Sequence, residues 1–182
     1  EHVITKDVPC SRYWVGIDRG TQNATVFLLA GMGQDGRLCI LDEYYHSGRD
    51  SGQKSPSQYS ADYRKWIAKH PEPARVFVDP EDPGFAQQLY NDGVRHTARA
   101  ENAVMDGIGF VASLMANDQL RIHVRCKHLL EEIPGYVWDP KKAERGIEEP
   151  IKVNDHALDA MRYAAYSMRR LWRRMLDRKE AA

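Results

Sequence analysis

Three apolar runs that follow one another at short intervals constrain the fold more than any other feature of the sequence. They occupy residues 13–17, 25–30 and 38–45. Each is rich in the β-branched, aromatic and aliphatic side chains that are typical of strands. Residues 20–23 and 33–36, which separate them, are rich in turn formers. Because strands joined by such short turns pair with their neighbours, we predict an antiparallel meander.

Helical spacing alternates with short apolar runs in the rest of the chain. Helices are predicted over residues 56–69, 83–91, 100–117, 127–133 and 154–178, and strands over 75–78, from 94 and over 120–124. The polar residues 47–57 predict a mobile loop, and residues 136–150 a β-hairpin or flap. A meander followed by this alternation predicts an α/β fold with a mixed sheet flanked by helices.

Composition limits the class of protein. The 182 residues suit one domain, which we place at residues 13–178 after a flexible lead-in of residues 1–12. The 26 basic and 26 acidic side chains give no net charge, which argues against a purely electrostatic DNA binder but not against a nuclease. The three widely spaced cysteines predict neither a zinc site nor a disulfide framework, and they fit a reducing compartment. No signal peptide or membrane span is recognisable, so we expect a cytosolic protein. The absence of an initiator methionine suggests a piece of something longer.

Three carboxylates stand near the ends of separate predicted elements. Asp18 ends or interrupts the first strand, Asp79 ends the strand Val76-Phe-Val78, and Asp159 lies in the first turns of the last helix. Carboxylates on three separate elements are a common way to assemble a divalent-metal site, because a cation neutralises their mutual repulsion. In sheets of this class, ligands bind in crevices at strand ends.

Each strand-end aspartate also has a purely structural interpretation. Asp18 could form a turn with Gly20, and Asp-Pro, as at Asp79, is common where a strand meets a turn. Glu81 and Asp82 crowd the same loop and could compete with Asp79 as the acidic ligand. Asp82 is the more structural of the two, because it is placed to cap the next helix.

The last helix begins with a denser cluster. Asn154 or Asp155 is a natural N-cap whose side chain can accept hydrogen bonds from free backbone N–H groups. Asp159 follows Asp155 by four residues and His156 by three, which places all three on one end of the helix. The helix dipole alone would favour acidic side chains there, but it does not explain a histidine between them.

Basic side chains accumulate along and after this helix: Arg162, Arg169, Arg170, Arg173, Arg174, Arg178 and Lys179. They form either a solvated face or a surface for DNA phosphates or an acidic neighbouring domain. No P-loop, GxSxG or HExxH motif is present. Cys126, near His123 and His128, is only a weak candidate for a catalytic cysteine.

Five segments, taken in order, resemble one protein family. They are Gly16-Ile-Asp-Arg-Gly-Thr21; Val76-Phe-Val-Asp-Pro80; Ala100-Glu-Asn-Ala-Val-Met-Asp-Gly-Ile108; Cys126-Lys-His-Leu-Leu-Glu-Glu-Ile133 with Tyr136-Val-Trp-Asp139; and Pro150-Ile-Lys-Val-Asn-Asp-His-Ala-Leu-Asp-Ala-Met-Arg-Tyr163. Together they resemble the C-terminal nuclease domain of the large terminase subunit of tailed bacteriophages, over roughly residues 13–166. The resemblance implies an RNase H-like (retroviral integrase-like) fold. It also implies an endonuclease that cuts double-stranded DNA concatemers, with little sequence specificity, during viral genome packaging.

The resemblance also carries over site residues. It implies a metal-binding, catalytic triad of Asp18, Asp79 and Asp159, with His156 as the accompanying histidine and Asp155 in a weaker supporting place. The implied cofactors are two divalent ions, Mg²⁺ or Mn²⁺. Such a pair, roughly 3.5–4 Å apart, can stabilise the entering and leaving oxygens of a phosphodiester and lower the pKa of the attacking water. Asp18 would bridge the ions, Asp79 and Asp159 would each hold one, and His156 would act in the outer shell or in proton transfer.

Partners follow from the same resemblance. Double-stranded DNA is the implied substrate, and Lys152 and Arg19 are candidate DNA contacts. The full protein would add an N-terminal packaging ATPase domain and would meet a small terminase subunit and a portal in the host cell cytoplasm. The P-loop of that ATPase half is absent from this sequence, so we expect no ATPase activity from this chain.

Three other interpretations are open. Gly16-Ile-Asp-Arg-Gly-Thr21 also resembles the opening of actin-like sugar kinases, although their second phosphate loop and adenosine-binding glycines are missing here. An RNase H-like enzyme could instead resolve branched DNA. A third interpretation is a binding module that has lost its activity.

Overall fold

The sheet that organises the chain contains seven strands. The structure, a computed structural model, describes residues 2–20, 23–135 and 155–171. Within them the strands are β1 Val3–Ile4, β2 Cys10–Arg19, β3 Ala24–Gly33, β4 Leu38–Ser47, β5 Val76–Val78, β6 Thr97–Arg99 and β7 Leu120–His123. Their order across the sheet is β1-β7-β4-β3-β2-β5-β6.

Helices lie on both faces of this sheet. They are α1 Gly48–Ser51, α2 Pro56–Ile67, α3 Pro83–Asn91, α4 Val104–Ala116, α5 Lys127–Glu132 and α6 His156–Ser167. A 3₁₀ turn, Ile133–Gly135, follows α5. None of the helices among the described residues combines the length and apolarity needed to cross a bilayer.

The predicted meander and mixed sheet are confirmed. β2 pairs antiparallel with β3, and β3 antiparallel with β4. The later strands add to the two sides of this meander in parallel: β5 joins β2 and carries β6, while β7 joins β4 and carries β1. Crossovers of this kind need helices, which is why the chain alternates helix and strand after residue 47.

Alternation along the central strands divides the hydrophobic core in two. Trp14 faces one core, which also contains the inner sides of α4 and α6. Val15 and Ile17 face the other, where α2 and α3 pack. Because successive side chains of a strand point to opposite faces, Gly16 and Asp18 share the α6 side with Trp14.

Helix α6 approaches β2 closely because Gly16 has no side chain. A Cβ atom on Gly16 would collide with the carbonyl oxygen of Ala160 and would lie 3.0 Å from the Cβ of Ala164. Trp14 reinforces the contact, since its Nε1 donates a hydrogen bond of 3.0 Å to the Ala164 carbonyl. Small residues on both elements therefore bring the backbone of α6 against the strand that carries Asp18.

The predicted flexible lead-in, residues 1–12, contains regular structure. β1 lies beside β7, where the backbone N–H of Ile122 donates to the carbonyl of His2 at 2.8 Å and that of Val124 to the carbonyl of Ile4 at 2.9 Å. β2 already begins at Cys10. Backbone pairing at a sheet edge needs no apolar run, so the pattern of side chains does not reveal it. The predicted domain limits, 13–178, stay a prediction.

Two further boundaries differ from the prediction. The predicted loop at residues 47–57 contains α1, which Ser47 caps by accepting from the Asp50 N–H. Helix α4 begins at Val104 and not at residue 100, because the Ala100 N–H continues the pairing of β6 by donating to Val78. The predicted hairpin or flap at 136–150, Lys152, and the last helix beyond residue 171 lie outside the described residues.

We expect Gly16→Ala to lower the free energy of unfolding by about 1–3 kcal/mol or more, since the added methyl group must push α6 off the sheet. Gly109→Ala is the matched control. Gly109 is exposed in α4, and a Cβ there would meet nothing within 4 Å, so alanine should be neutral or stabilise by up to about 1 kcal/mol. Chemical denaturation of both variants measures the difference. Equal stability of the two would contradict the close-packing argument.

Candidate functional site

Asp18 and Asp79 lie side by side at one end of the sheet. β2 and β5 run parallel with Ile17 opposite Val78. The Asp79 N–H donates to the Ile17 carbonyl at 3.2 Å, so the pairing extends one residue further along. Phe77 belongs to the core on the α6 side, and alternation therefore turns Asp79 to the same side as Asp18.

Helix α6 brings two more groups to this end of the sheet. His156, its first residue, lies with Nδ1 2.8 Å from Oδ2 of Asp18. Asp159 is in the first turn of the same helix. The structure thus brings together four sequence-predicted residues from β2, the end of β5 and α6.

The carboxyl of Asp18 is held in an unfavourable environment. Its residue is only 7% exposed, and this burial is the main reason that its pKa is raised, to about 6. The hydrogen bond with His156 lowers the pKa, whereas the negative charges of Asp159 and Asp79 raise it. Asp79 and Asp159 are therefore both close enough to Asp18 to repel its charge.

Two side chains that sequence reasoning did not assign to the site complete its lining. Tyr163 is buried, and its pKa is raised first by burial and then by the charges of Asp79, Asp159 and Asp18. It follows Asp159 by four residues, the spacing that puts both on one helix face. That spacing is visible in the sequence and could have identified it.

Arg162 is the second. It was predicted to belong to a basic face that is either solvated or in contact with DNA or an acidic domain, but it is 4% exposed. Its Nε and Nη2 donate to Oδ1 of Asp159 at 3.1 and 2.9 Å, and its Nη1 donates to Oδ1 of Asn102 at 3.0 Å. Arg162 thus fixes Asp159, which corrects the expectation for this arginine. Arg169, from the same predicted face, pairs with Glu101 at 2.8 Å.

The donor set suits a hard divalent cation. In the described part of the chain, no three His, Cys, Asp or Glu side chains are arranged as a ready-made metal cage. Instead, Asp18 pairs with His156 and Asp159 with Arg162, so internal partners compensate these charges. Carboxylate oxygens are nevertheless the ligands that Mg²⁺ and Mn²⁺ prefer, and a buried Asp18 with a raised pKa gains from a nearby cation. The residues fit such an ion once their side chains reorient.

Asp155 occupies the predicted N-cap position of α6, but its side chain makes no capping hydrogen bond. Glu132, at the end of α5, caps the helix instead. Its Oε2 accepts from the backbone N–H groups of Ala157 at 2.8 Å and Leu158 at 3.0 Å. The prediction that the Asp155 carboxylate satisfies these groups is therefore wrong, because a buried acid from another helix occupies the place.

Arg19 and Asp82 form a structural pair beside the site. The Arg19 side chain, 13% exposed, pairs with the Asp82 carboxylate and lies over the Phe85 ring. Asp82 also caps α3 by accepting from the Phe85 N–H at 3.1 Å, as predicted for this residue. The nearby Asp79 accepts from the Glu81 N–H at 2.9 Å. With these partners Arg19 joins β2 to α3, and its contact with DNA stays a prediction.

Comparison with known proteins gives a consistent picture. No protein-family model matches the chain. Over 169 residues, 91% of its length, the chain is 27% identical to the large terminase subunit of Escherichia phage T5 and covers 37% of that protein. The large terminase of a thermophilic bacteriophage, solved as a crystal structure, is 37% identical with a TM-score of 0.87, over 92% of this chain and 42% of that one. The large terminase nuclease domain of bacteriophage SPP1, solved with bound Mn, is 17% identical with a TM-score of 0.64, over 91% of this chain and 96% of that one.

These likenesses confirm the resemblance to large terminase nuclease domains and the RNase H-like fold class. The chain spans about two-fifths of the length of the phage T5 protein and of the thermophilic phage protein.

The cap of α6 can be tested by comparing two acids. Glu132→Ala leaves the buried N–H groups of Ala157 and Leu158 without an acceptor, so it should lower the free energy of unfolding by about 1–3 kcal/mol. Asp155→Ala removes no capping hydrogen bond and should cost less than about 0.5 kcal/mol. Denaturant unfolding of both variants measures which substitution lowers the free energy of unfolding more. The reverse order would restore Asp155 as the cap.

Glu132 should also make stability depend on pH. Burial raises its pKa from an ordinary 4.5 to about 7 in the folded chain. Between these values the folded state binds more protons than the unfolded state, so the contribution of Glu132 is complete below 4.5 and declines as the pH rises to about 7. We expect a decline of about 1–3 kcal/mol over this window. Glu132→Gln, which keeps a neutral acceptor, should flatten it, and an unchanged pH profile in that variant would contradict the assignment.

Proposed function

The likeness in sequence and fold to the nuclease domain of phage large terminase subunits is the premise from which we propose a function. We propose that this chain is the endonuclease domain of such a subunit and cuts double-stranded DNA during genome packaging. One observation supports this most strongly: Asp18 and Asp79 are neighbours on parallel strands, and α6 adds Asp159 and His156 to the same sheet end. Several acidic side chains in one partly buried site repel one another. This repulsion lowers the stability of the fold, so such a cluster indicates a bound cation or a catalytic function.

We further propose that the site works with two divalent ions, Mg²⁺ or Mn²⁺. Asp18 would contact both, and Asp79 and Asp159 would each hold one. When bound, such ions neutralise charge on the phosphodiester and lower the pKa of the attacking water. The Mn recorded with the SPP1 nuclease domain supports this choice of metal.

The chain's own residues prepare the carboxylates for this task. His156 holds Oδ2 of Asp18 through Nδ1, and this hydrogen bond raises the pKa of the imidazole. A protonated His156 would balance part of the charge of Asp18 in the free protein, and it could move aside or donate that proton once substrate binds. Arg162 likewise compensates the charge of Asp159, to which its guanidinium donates two hydrogen bonds. Both cations are positioning groups, since they act on the carboxylates.

Specificity and partners are part of the same proposal. We propose cleavage with little sequence preference, because no element of the described residues resembles a base-reading helix or finger. The rest of a large subunit would supply the packaging ATPase domain, and the small terminase subunit and the portal would be further partners. This chain alone should not hydrolyse ATP.

Plasmid cleavage tests the proposal. With Mg²⁺ or Mn²⁺ the chain should nick and linearise supercoiled DNA without discrete bands, and EDTA should stop it. Asp18→Asn, Asp79→Asn and Asp159→Ala should each reduce the rate about 100-fold or more. Asp35→Asn is the matched control, because Asp35 lies in the turn at the opposite end of β3 and pairs with Arg37. Full activity in EDTA, or active Asp18→Asn, would refute the mechanism, and preference for four-way junctions would favour the branched-DNA alternative.

Thermal unfolding separates loss of function from loss of fold. Asp18→Asn removes a charge that repels Asp79 and Asp159, so the metal-free variant should melt at the same temperature as the wild type or higher. Mn²⁺ should raise the melting temperature of the wild type more than that of the variant, because an ion bound to the native state stabilises it. An unfolded Asp18→Asn protein would show that Asp18 is a structural residue.

A further inference from the structure

A second concave surface reaches Asp79 from the α3 side of the sheet, the face opposite α6. It is a groove of about 550 Å³ between α3 and the strand pair β5–β6. Asp79 and Pro80 lie at one end, and Gln87, Tyr90, Thr97 and Arg99 line the rest of it. Asp79 is the only carboxylate among its described lining residues, so beyond Asp79 the groove is neutral or positive.

Arg99 provides the positive charge. It lies opposite Val78 in the β5–β6 pair, one residue short of Asp79. Its side chain is exposed, and it makes no ion pair or hydrogen bond with any described side chain. Arg19 and Arg162, by contrast, are each held by a carboxylate. A guanidinium beside the site without such a partner is available to an anionic ligand.

The wall of the groove is also suited to a nucleic acid. Tyr90 is 46% exposed although it is large and aromatic. The guanidinium of Arg95 lies over its ring, 4.5 Å from the centroid, and holds the ring in place. Tyrosine side chains beside basic groups are among those that contact the phosphate and sugar of a DNA backbone. The Thr97 hydroxyl is a neutral donor of the kind that contacts phosphate oxygens, and so is the second amide hydrogen of Gln87, whose Nε2 already donates to Oδ1 of Asn91 at 2.9 Å.

We propose that this groove binds the phosphate backbone of the DNA strand adjoining the phosphodiester that is cut, with Arg99 as its charged contact and Tyr90 as its aromatic wall. The inference rests on the proposed nuclease function, because it takes Asp79 to mark the cleavage centre. The inference adds residues that position the DNA strand, and these residues take no part in the proposed cleavage chemistry. The contacts go to the backbone, so the groove supplies affinity and alignment without reading sequence.

The test measures binding to a fluorescently labelled duplex in EDTA, where no cutting occurs, over a series of salt concentrations. Arg99→Ala should weaken binding about tenfold and reduce the slope of log affinity against log salt by about one, since one phosphate contact is lost. With metal present, the same variant should raise the KM for cleavage with little change in kcat. Its melting temperature should be unchanged, because the side chain is exposed and makes no hydrogen bond or ion pair with a described residue.

Arg75→Ala is the matched control. Arg75 is exposed and precedes β5, at the opposite end of that strand from Asp79, and its guanidinium bonds only to the adjacent Ala74 carbonyl among the described residues. The Arg75→Ala substitution removes the same charge as Arg99→Ala and should leave the affinity for the duplex within about twofold of the wild type. Tyr90→Phe should bind more weakly than the wild type, since the hydroxyl is the group of this side chain that can donate to a phosphate oxygen.

The outcomes distinguish the two proposals. If Arg99→Ala matches Arg75→Ala in affinity and salt slope while the wild type cuts DNA, the groove assignment is overturned and the nuclease function stands. If Arg99→Ala alone weakens binding but the wild type never cuts DNA with metal, the groove stands and the nuclease function fails. A wild type that binds no duplex contradicts both.

Discussion

The contact between α6 and β2 is the constraint on which the candidate site depends. Gly16 lets the backbone of the helix approach the strand, and Trp14 bonds to the same helix through the Ala164 carbonyl. Asp18 lies two residues beyond Gly16 on the same face, and His156 and Asp159 lie about one turn or less from Ala160. Since both the strand and the helix are rigid elements, their packing distance sets the separation of the acidic groups directly.

Cationic side chains within the protein compensate part of the negative charge of the site. The buried carboxyl of Asp18 meets His156, and the carboxyl of Asp159 meets the buried Arg162. Each pairing offsets part of the cost of gathering acids in one place, and in the proposed mechanism each would be exchanged for a divalent cation. The protein can therefore fold with these acidic side chains close together. Their negative charge is only partly compensated, so a cationic ligand would still bind favourably.

The sequence predicts a residue's position correctly where that position follows from its own element. Asp18 and Asp79 follow apolar strand runs, and Asp82 precedes a helix that it caps, so pattern alone placed them. The sequence does not predict the position or contacts of a residue where these depend on a distant element. Glu132 caps α6 from another helix, and Arg162 is buried because Gly107 on α4 leaves room for its side chain. β1 forms by backbone pairing alone. No local spacing encodes such contacts, because they depend on which surfaces meet after folding.

Glu132 makes the position of one helix depend on another. It stands at the end of α5, and its carboxylate accepts two hydrogen bonds from the first turn of α6, the turn that carries Asp159. The start of α6, and with it the place of Asp159 at the sheet end, is therefore fixed in part by a side chain that belongs to a different helix. Displacement of α5 would release the first turn of α6 and disturb the acidic site, even with every residue of that site intact.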